Sequence, residues 1–444
     1  MANFVIQGGT RLVGTVRASG AKNAALPIMA AALLSDEPVE LLGIPRLTDV
    51  RTMAQLLVKL GMSVEFDPKD GDLREDGSTV RISPVSNMVV RADARLVRRM
   101  RAGFCLLGPL LARRGKAEVP LPGGCEIGDR PVDLHLRGLA ALGADIRLKH
   151  GRVLATACGL RGAVIDLTGP RGPTVTGTCN VLTAAVVAQG TTVIQGAARE
   201  PEVFDLGNFL VAMGARIDGL GTATLEIRGV DGLSGSRLTG GYRVIPDRIE
   251  AATLLMAGVI TGGAVCVTNV NLKHLDSTLS LLQAAGASIE VGPNWAQATA
   301  GDKLRPVDLI AHPYPGVPTD LQAQWTALMA VAAGPSRIVD RVFPARMRHV
   351  AELRRLGAVI ECGDGAVSCA GGATLQGTDV VASDLRASAA LILAALAARG
   401  MTVVRAIEHL DRGYEQLELK LAHLGARIKR IFRRSITRRL NTKA

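Results

Sequence analysis

Aromatic side chains are scarce, with Phe, Tyr and Trp together making 3% of the 444 residues. Cores must then be packed from Ala, Leu, Val and Ile, and the stacking platforms that bind single-stranded nucleic acid have little to be built from. Cysteine is sparse and odd in number: Cys105, Cys125, Cys158, Cys179, Cys266, Cys362 and Cys369, with no CxxC pair. That argues against a disulfide scaffold or a zinc ribbon and predicts a reducing, cytoplasmic setting. The histidines show no HExxH or other ligand spacing, so no metal site is expected. A Walker GxxxxGK[ST] is missing, as is a GxGxxG opening a helix, which removes the usual supports for ATP hydrolysis and hydride transfer. No cofactor is expected. The opening MANFVIQGGTRLVG lacks the apolar stretch of a signal peptide. The apolar uncharged run Thr253 to Leu272 is broken by Gly262-Gly263 and reads as helix, turn and strand, so no membrane span is expected.

What is present supports sizeable cores: 48% apolar and 21% charged residues, with a length that suggests two or three domains. The formal net charge is +12, but eight of the positive residues fall within the last 18, from Arg427 to Lys443, leaving a body of only +4. The basic tail reads first as a solvated terminus. No nucleic-acid partner is expected, although the tail leaves contact with an anionic surface open.

One phrase recurs six times: a helix-like stretch, a glycine after Leu, Met or Ala, then a short strand. Its glycines are Gly61, Gly143, Gly214, Gly286, Gly357 and Gly425, spaced 82, 71, 72, 71 and 68 residues apart. Such a period marks a repeated supersecondary unit, and the glycine predicts a left-handed residue that stops the helix. A second phrase, an almost wholly apolar helix followed by a turn and a strand, recurs six times out of phase, as in LPIMAAALL and LILAALAARG. A helix apolar on every side is buried on every side. Six such helices exceed one core. The expected fold is therefore α/β: two inside-out, barrel-like domains of three units each, with buried helices inside and sheets outside. The chain crosses between them near GGYRVIPDR. The first domain is expected over 22–245, and the second over 1–21 plus 246–444, with the basic tail at about 431–444.

Charged residues gather where buried helices begin and in the loops of each unit, where anion sites are readily made. Lys22-Asn23 opens one apolar helix; the bland reading is a solvated lysine and a cap. Asp384 and Arg386 open another, with Asp384 or Ser383 as the cap. Asp320 in VPTDLQAQW is either a cap or a general base. Arg346 and Arg412 lie in loops. Cys125, in the glycine-rich PGGCEIGDR beside Arg130, has the setting of a reactive thiol rather than a core cysteine, unlike Cys105, Cys179 and Cys266.

Taken together, SGAKNAALPI, PGGCEIGDRPVDLH, AAREPE, PDRIEA, PTDLQAQ, DLRASA and DRGYE resemble the enolpyruvyl transferase family, in its UDP-N-acetylglucosamine branch, from about residue 2 to 430 and in family order. The resemblance implies a cleft between two inside-out domains and transfer of the enolpyruvyl group of phosphoenolpyruvate to the 3-hydroxyl of UDP-N-acetylglucosamine, the first committed step of peptidoglycan synthesis. It gives Lys22, Arg130 and Arg412 to the phosphate of phosphoenolpyruvate, and Arg346 and Arg386 to its carboxylate. Cys125 becomes the general acid, able to form an adduct with phosphoenolpyruvate and to be alkylated by fosfomycin. Asp320 becomes the base, assisted by Asp384. Asn23, Arg101, Arg130, Pro131, Val132, Asp133 and Leu134 are given to the nucleotide sugar, with Val342 near the sugar. The chain departs from the family pattern at Thr168–Gly172, at Thr48, at Pro344-Ala345, around Asp67–Gly77 and in the tail. The competing class is a non-catalytic anion-binding relative. Retention of Cys125, Asp320, Arg412 and Lys22 together favours the enzyme, because a binder needs neither acid nor base.

Overall fold

The six repeat glycines stop six helices. In the computed structural model, which describes residues 2–67, 78–85, 88–123 and 131–432, they follow the helices Thr48–Lys59, Asp133–Ala141, Pro201–Ala212, Asp276–Ala284, His349–Arg355 and Leu417–His423. Their φ angles lie between 96° and 110°. Each glycine N–H donates to the carbonyl three residues back at 2.9–3.0 Å, closing the helix end. A Cβ at Gly143 would meet nothing within 4 Å, so only the backbone resists a side chain there. Gly143→Ala should therefore cost about 1–2 kcal/mol, measured by chemical denaturation, with activity unchanged.

Six further helices are the apolar ones: Lys22–Ala31, Leu107–Arg114, Val175–Ala185, Arg248–Ile260, Gln322–Ala330 and Leu385–Ala397; the short helix Ala94–Arg99 belongs to neither set. Every residue of Arg248–Ile260 and of Gln322–Ala330 is buried. Leu107–Arg114 departs from the expectation. Only its first five residues are buried, and its last turn reaches the surface, where Arg113 pairs with Asp36. Cys105 and Cys179 are buried as expected, but Cys266 is only half-buried in the strand Ala264–Thr268.

Strands from each unit form separate open sheets, five of four strands and one of three, together with a small hairpin joining Thr168–Gly169 to Gly172–Pro173. No sheet among the described residues closes into a barrel; the fold is a mixed α/β arrangement. Apolar packing forms two cores, one from residues between 21 and 244, the other from residues 2–18 and 249–428. Ala2–Gln7 lies between Met401–Arg405 and Arg427–Phe432, antiparallel to both, and Val13–Arg17 runs parallel to Ala264–Thr268. The chain passes between the cores twice, side by side. Ala21 N donates to Ile245 O at 2.7 Å, and Asp247 N to Ser19 O at 2.8 Å. No described helix is long and apolar enough to cross a membrane. Cys125, Arg130, the stretch 68–77 and the tail beyond Phe432 lie outside the described residues.

Candidate active site

Asp320 sits in the short 3-10 turn Thr319–Leu321, and its side chain caps no helix. Both its oxygens instead meet arginines: Oδ1 accepts from Arg346 Nη1 at 2.7 Å and Oδ2 from Arg386 Nη2 at 2.8 Å. Arg386 enters from the start of the buried helix Leu385–Ala397, its guanidinium 5.4 Å from the Tyr414 ring centroid. Tyr414 is itself buried, with its hydroxyl bonded to Thr253 and Gln324. Burial alone would raise the Asp320 carboxyl, but Arg386 and Arg346 reverse that and hold it well below the usual carboxylate range. Three guanidinium nitrogens beside it, Arg346 Nε and Arg386 Nε and Nη1, are buried with no acceptor among the described residues.

The second cluster centres on a residue that the sequence did not single out. Asp49, buried in the first turn of Thr48–Lys59, accepts from Lys22 Nζ at 3.3 Å and from Arg412 Nε at 2.9 Å. Lys22 belongs to the first core's opening helix, whereas Arg412 ends the turn Ile407–Arg412 against the second core. One carboxylate thus holds two cations from opposite halves. Burial pushes the Lys22 ammonium below the ordinary lysine range; Asp49 opposes this, and the charges of Arg386, Arg412 and Asp320 also act on it. The two clusters therefore share one field.

Asp49→Asn would remove the largest influence that keeps Lys22 charged, leaving only Asp320 to act in that direction. The Lys22 pKa should fall further, so activity that needs the ammonium should be lost at lower pH. The alkaline limb of kcat/KM should move to lower pH by roughly one unit or more; an unmoved limb would show that Lys22 charge does not limit the rate.

Asp384 follows the bland reading. Its Oδ1 caps the helix by accepting from Arg386 N at 2.9 Å and Ala387 N at 3.1 Å, while Oδ2 takes Ser383 Oγ. Asn23 is exposed in the first turn of Lys22–Ala31, where no side chain caps the helix. Arg101 Nη2 reaches Pro131 O at 3.5 Å, drawing Arg101 to the segment Pro131, Val132, Asp133 and Leu134 that opens the helix Asp133–Ala141. The hairpin built from the divergent Thr168–Gly172 stretch packs beside Leu134 and approaches Pro313 of the other half. Val342 sits in a loop shaped by Asp340, whose carboxylate accepts from Val342 N, Phe343 N and Thr319 Oγ1.

AAREPE and PDRIEA also meet. Glu202 and Arg248, both buried, form a paired bridge at 3.0 and 3.2 Å between the two halves. Asp247 caps Arg248–Ile260 and takes Lys22 N at 3.4 Å. Asp49 and Asp340 carried no distinct sequence signal, whereas Tyr414 and this bridge lie within DRGYE, AAREPE and PDRIEA without a role having been read for them. An acid in the first turn of an amphipathic helix looks like any cap or dipole partner.

The profile of the EPSP synthase (3-phosphoshikimate 1-carboxyvinyltransferase) family matches residues 6–421. A protein of Coxiella burnetii (strain RSA 493 / Nine Mile phase I) named UDP-N-acetylglucosamine 1-carboxyvinyltransferase is 49% identical over 433 residues, covering 97% of this chain and 96% of that one. A protein of the same name from Methylacidiphilum infernorum (isolate V4) is 46% identical over 434 residues, covering 97% and 99%. Among solved structures, the enolpyruvyl transferase NikO from Streptomyces tendae superposes with a TM-score of 0.84 at 30% identity over 97% of this chain and 98% of that one. An EPSP synthase from Acinetobacter baumannii shares the fold, with a TM-score of 0.72 at 18% identity over 97% and 100%. By near-complete coverage at these identities, the chain belongs to the enolpyruvyl transferases of the EPSP synthase family, alongside the relatives named UDP-N-acetylglucosamine 1-carboxyvinyltransferase.

Proposed function

We propose that this chain is a transferase that moves the enolpyruvyl group of phosphoenolpyruvate to the 3-hydroxyl of UDP-N-acetylglucosamine, releases phosphate, and so opens peptidoglycan synthesis in the cytoplasm. The observation that carries the reading is the gathering, in a member of this family, of Lys22, Arg412, Arg346 and Arg386 around two carboxylates, Asp49 joining cations from both halves and Asp320 held within the second. A substrate with a phosphate at one end and a carboxylate at the other needs two cation pairs. Pre-placed guanidinium and ammonium groups stabilise charge in a dry site without reorganising.

In this reading each core with its sheets is one domain, over 22–245 and over 1–21 plus 246–444, with helices inside and sheets outside. The two halves close over the substrates and expel water. Lys22 and Arg412, with Arg130, hold the phosphate; Arg346 and Arg386 hold the carboxylate. Asn23, Arg101, Arg130 and the Pro131–Leu134 segment grip the nucleotide, and Val342 borders the sugar. Asp320 takes the hydroxyl proton as its oxygen attacks C2 of phosphoenolpyruvate, while Cys125 protonates C3. Asp384 supports this chemistry by placing Arg386. Elimination then returns the C3 proton to Cys125, and the phosphate leaves with the proton that Asp320 had taken. The hairpin at Thr168–Gly172 sets the diphosphate grip, with Arg171 as its cation.

The test is phosphate release from phosphoenolpyruvate as a function of added UDP-N-acetylglucosamine. Release should require the nucleotide sugar. A folded protein that releases no phosphate with both substrates present would overturn the reading.

A further inference from the structure

We propose that the substrate's own carboxylate releases the base: on binding Arg346 and Arg386 it takes over the donors that hold Asp320, and only then does Asp320 accept the hydroxyl proton. The identity of the ligand rests on the function proposed above; the geometry stands by itself. Asp320 spends one oxygen on Arg346 at 2.7 Å and the other on Arg386 at 2.8 Å. A carboxylate held by two guanidinium groups is a poor base, because charge-assisted bonds of this kind strongly favour its ionised form. Its assigned partner, a sugar hydroxyl, gives up its proton only to a base freed from such clamps.

The arginines are short of an anion. Arg346 is 8% exposed and Arg386 2%, yet Arg346 Nε and Arg386 Nε and Nη1 have no acceptor among the described residues. Buried donors left unmade are costly, and a planar carboxylate is the group that satisfies guanidinium edges in pairs. Asp320 has room to yield, with its side chain 24% exposed. Asp49 behaves differently. Its side chain is 5% exposed, and among the described residues neither Lys22 nor Arg412 has a buried donor without an acceptor, the Arg412 side chain being 37% exposed. Asp49 therefore stays as a fixed counter-charge, while Asp320 is exchanged.

The proton balance closes without another reactant. The hydroxyl O–H bond breaks and its proton goes to an Asp320 oxygen; the hydroxyl oxygen bonds C2, and the electron pair of the C2–C3 double bond takes the Cys125 thiol proton at C3, leaving the thiolate. Nothing is oxidised or reduced.

The test compares the intact wild-type chain with Asp320→Asn by calorimetry, without nucleotide sugar, using phosphoenolpyruvate and inorganic phosphate as probes. If Asp320 competes for the two arginines, Asp320→Asn should bind phosphoenolpyruvate at least about tenfold tighter, while its phosphate affinity changes less than about threefold. Unchanged or weaker phosphoenolpyruvate binding, or an equal gain for phosphate, would overturn the exchange. Should the variant fail to fold, the wild type alone decides. With the carboxylate of phosphoenolpyruvate capped as its methyl ester, kcat at saturation should fall at least about a hundredfold, whereas a pure anchoring role would raise KM and leave kcat intact. A wild type that neither binds phosphoenolpyruvate nor releases phosphate from it removes the functional reading and this inference with it. A wild type that turns over normally while Asp320→Asn shows no selective tightening removes the exchange alone.

Discussion

Arg386→Met should leave a folded protein that is about 3 kcal/mol less stable, the usual cost of breaking a buried ion pair from one side. Arg386 is almost wholly enclosed and bridges Asp320 and the Tyr414 ring. Methionine fills much of the volume but leaves Asp320, held low by two guanidinium groups, to Arg346 alone, with its Oδ2 unpaired. Turnover should fall by about 10²–10³ at saturating substrate, the scale seen when one pre-placed donor to developing charge is removed. Arg386→Lys should recover much of the stability and little of the rate, because an ammonium cannot offer a paired edge. Denaturant midpoints and kcat measured on the same preparations separate the two effects. A kcat within threefold of wild type in Arg386→Met would mean that the guanidinium serves packing alone.

The second large effect is expected at Cys125, assigned through the motif PGGCEIGDR. Cys125→Ala should lose about 10²–10⁴ in turnover, the range supplied by a positioned proton donor. Cys125→Asp keeps a titratable group and should keep activity while abolishing alkylation by fosfomycin, read by the mass of the intact protein. Three other thiols are poor competitors for the epoxide. Burial pushes the Cys105 and Cys369 thiols up to about 12, and burial also raises Cys179. Cys158 and Cys362 are exposed and provide the internal control. If they were labelled as fast as Cys125, the glycine-rich loop would confer no special reactivity.

Sequence reading went furthest where one residue type has one mechanical use. The six glycines could be placed at helix ends because a left-handed residue excludes most side chains, and all six have positive φ. The apolar helices were visible because burial on all sides leaves no polar stripe, although the last turn of Leu107–Arg114 escaped the rule by meeting solvent. Single arginines gave only a direction. Arg346, Arg386 and Arg412 become a site through partners far away in sequence, such as Asp49, 363 residues from Arg412. Asp49 and Asp340 were illegible because what marks them is whom they touch. Asp340 ends a strand and bonds the backbone of its own loop, which leaves no pattern in composition or period. Asp384 shows the converse: a cap at Asp384 or Ser383 was readable from SDLRASA, and the structure gives it to Asp384 Oδ1.

The pairing of Ala2–Gln7 with strands near the far end of the chain bears on synthesis. During translation, everything the first core needs, residues 21 to 244, emerges as one continuous stretch and can pack while the ribosome is still working. The leading segment has no such option: Val13–Arg17 waits for Ala264–Thr268, and Ala2–Gln7 waits for Met401–Arg405 and Arg427–Phe432. At about 5–20 residues per second, Ala2–Gln7 waits tens of seconds for the strands that flank it, an apolar segment with both edges unpaired.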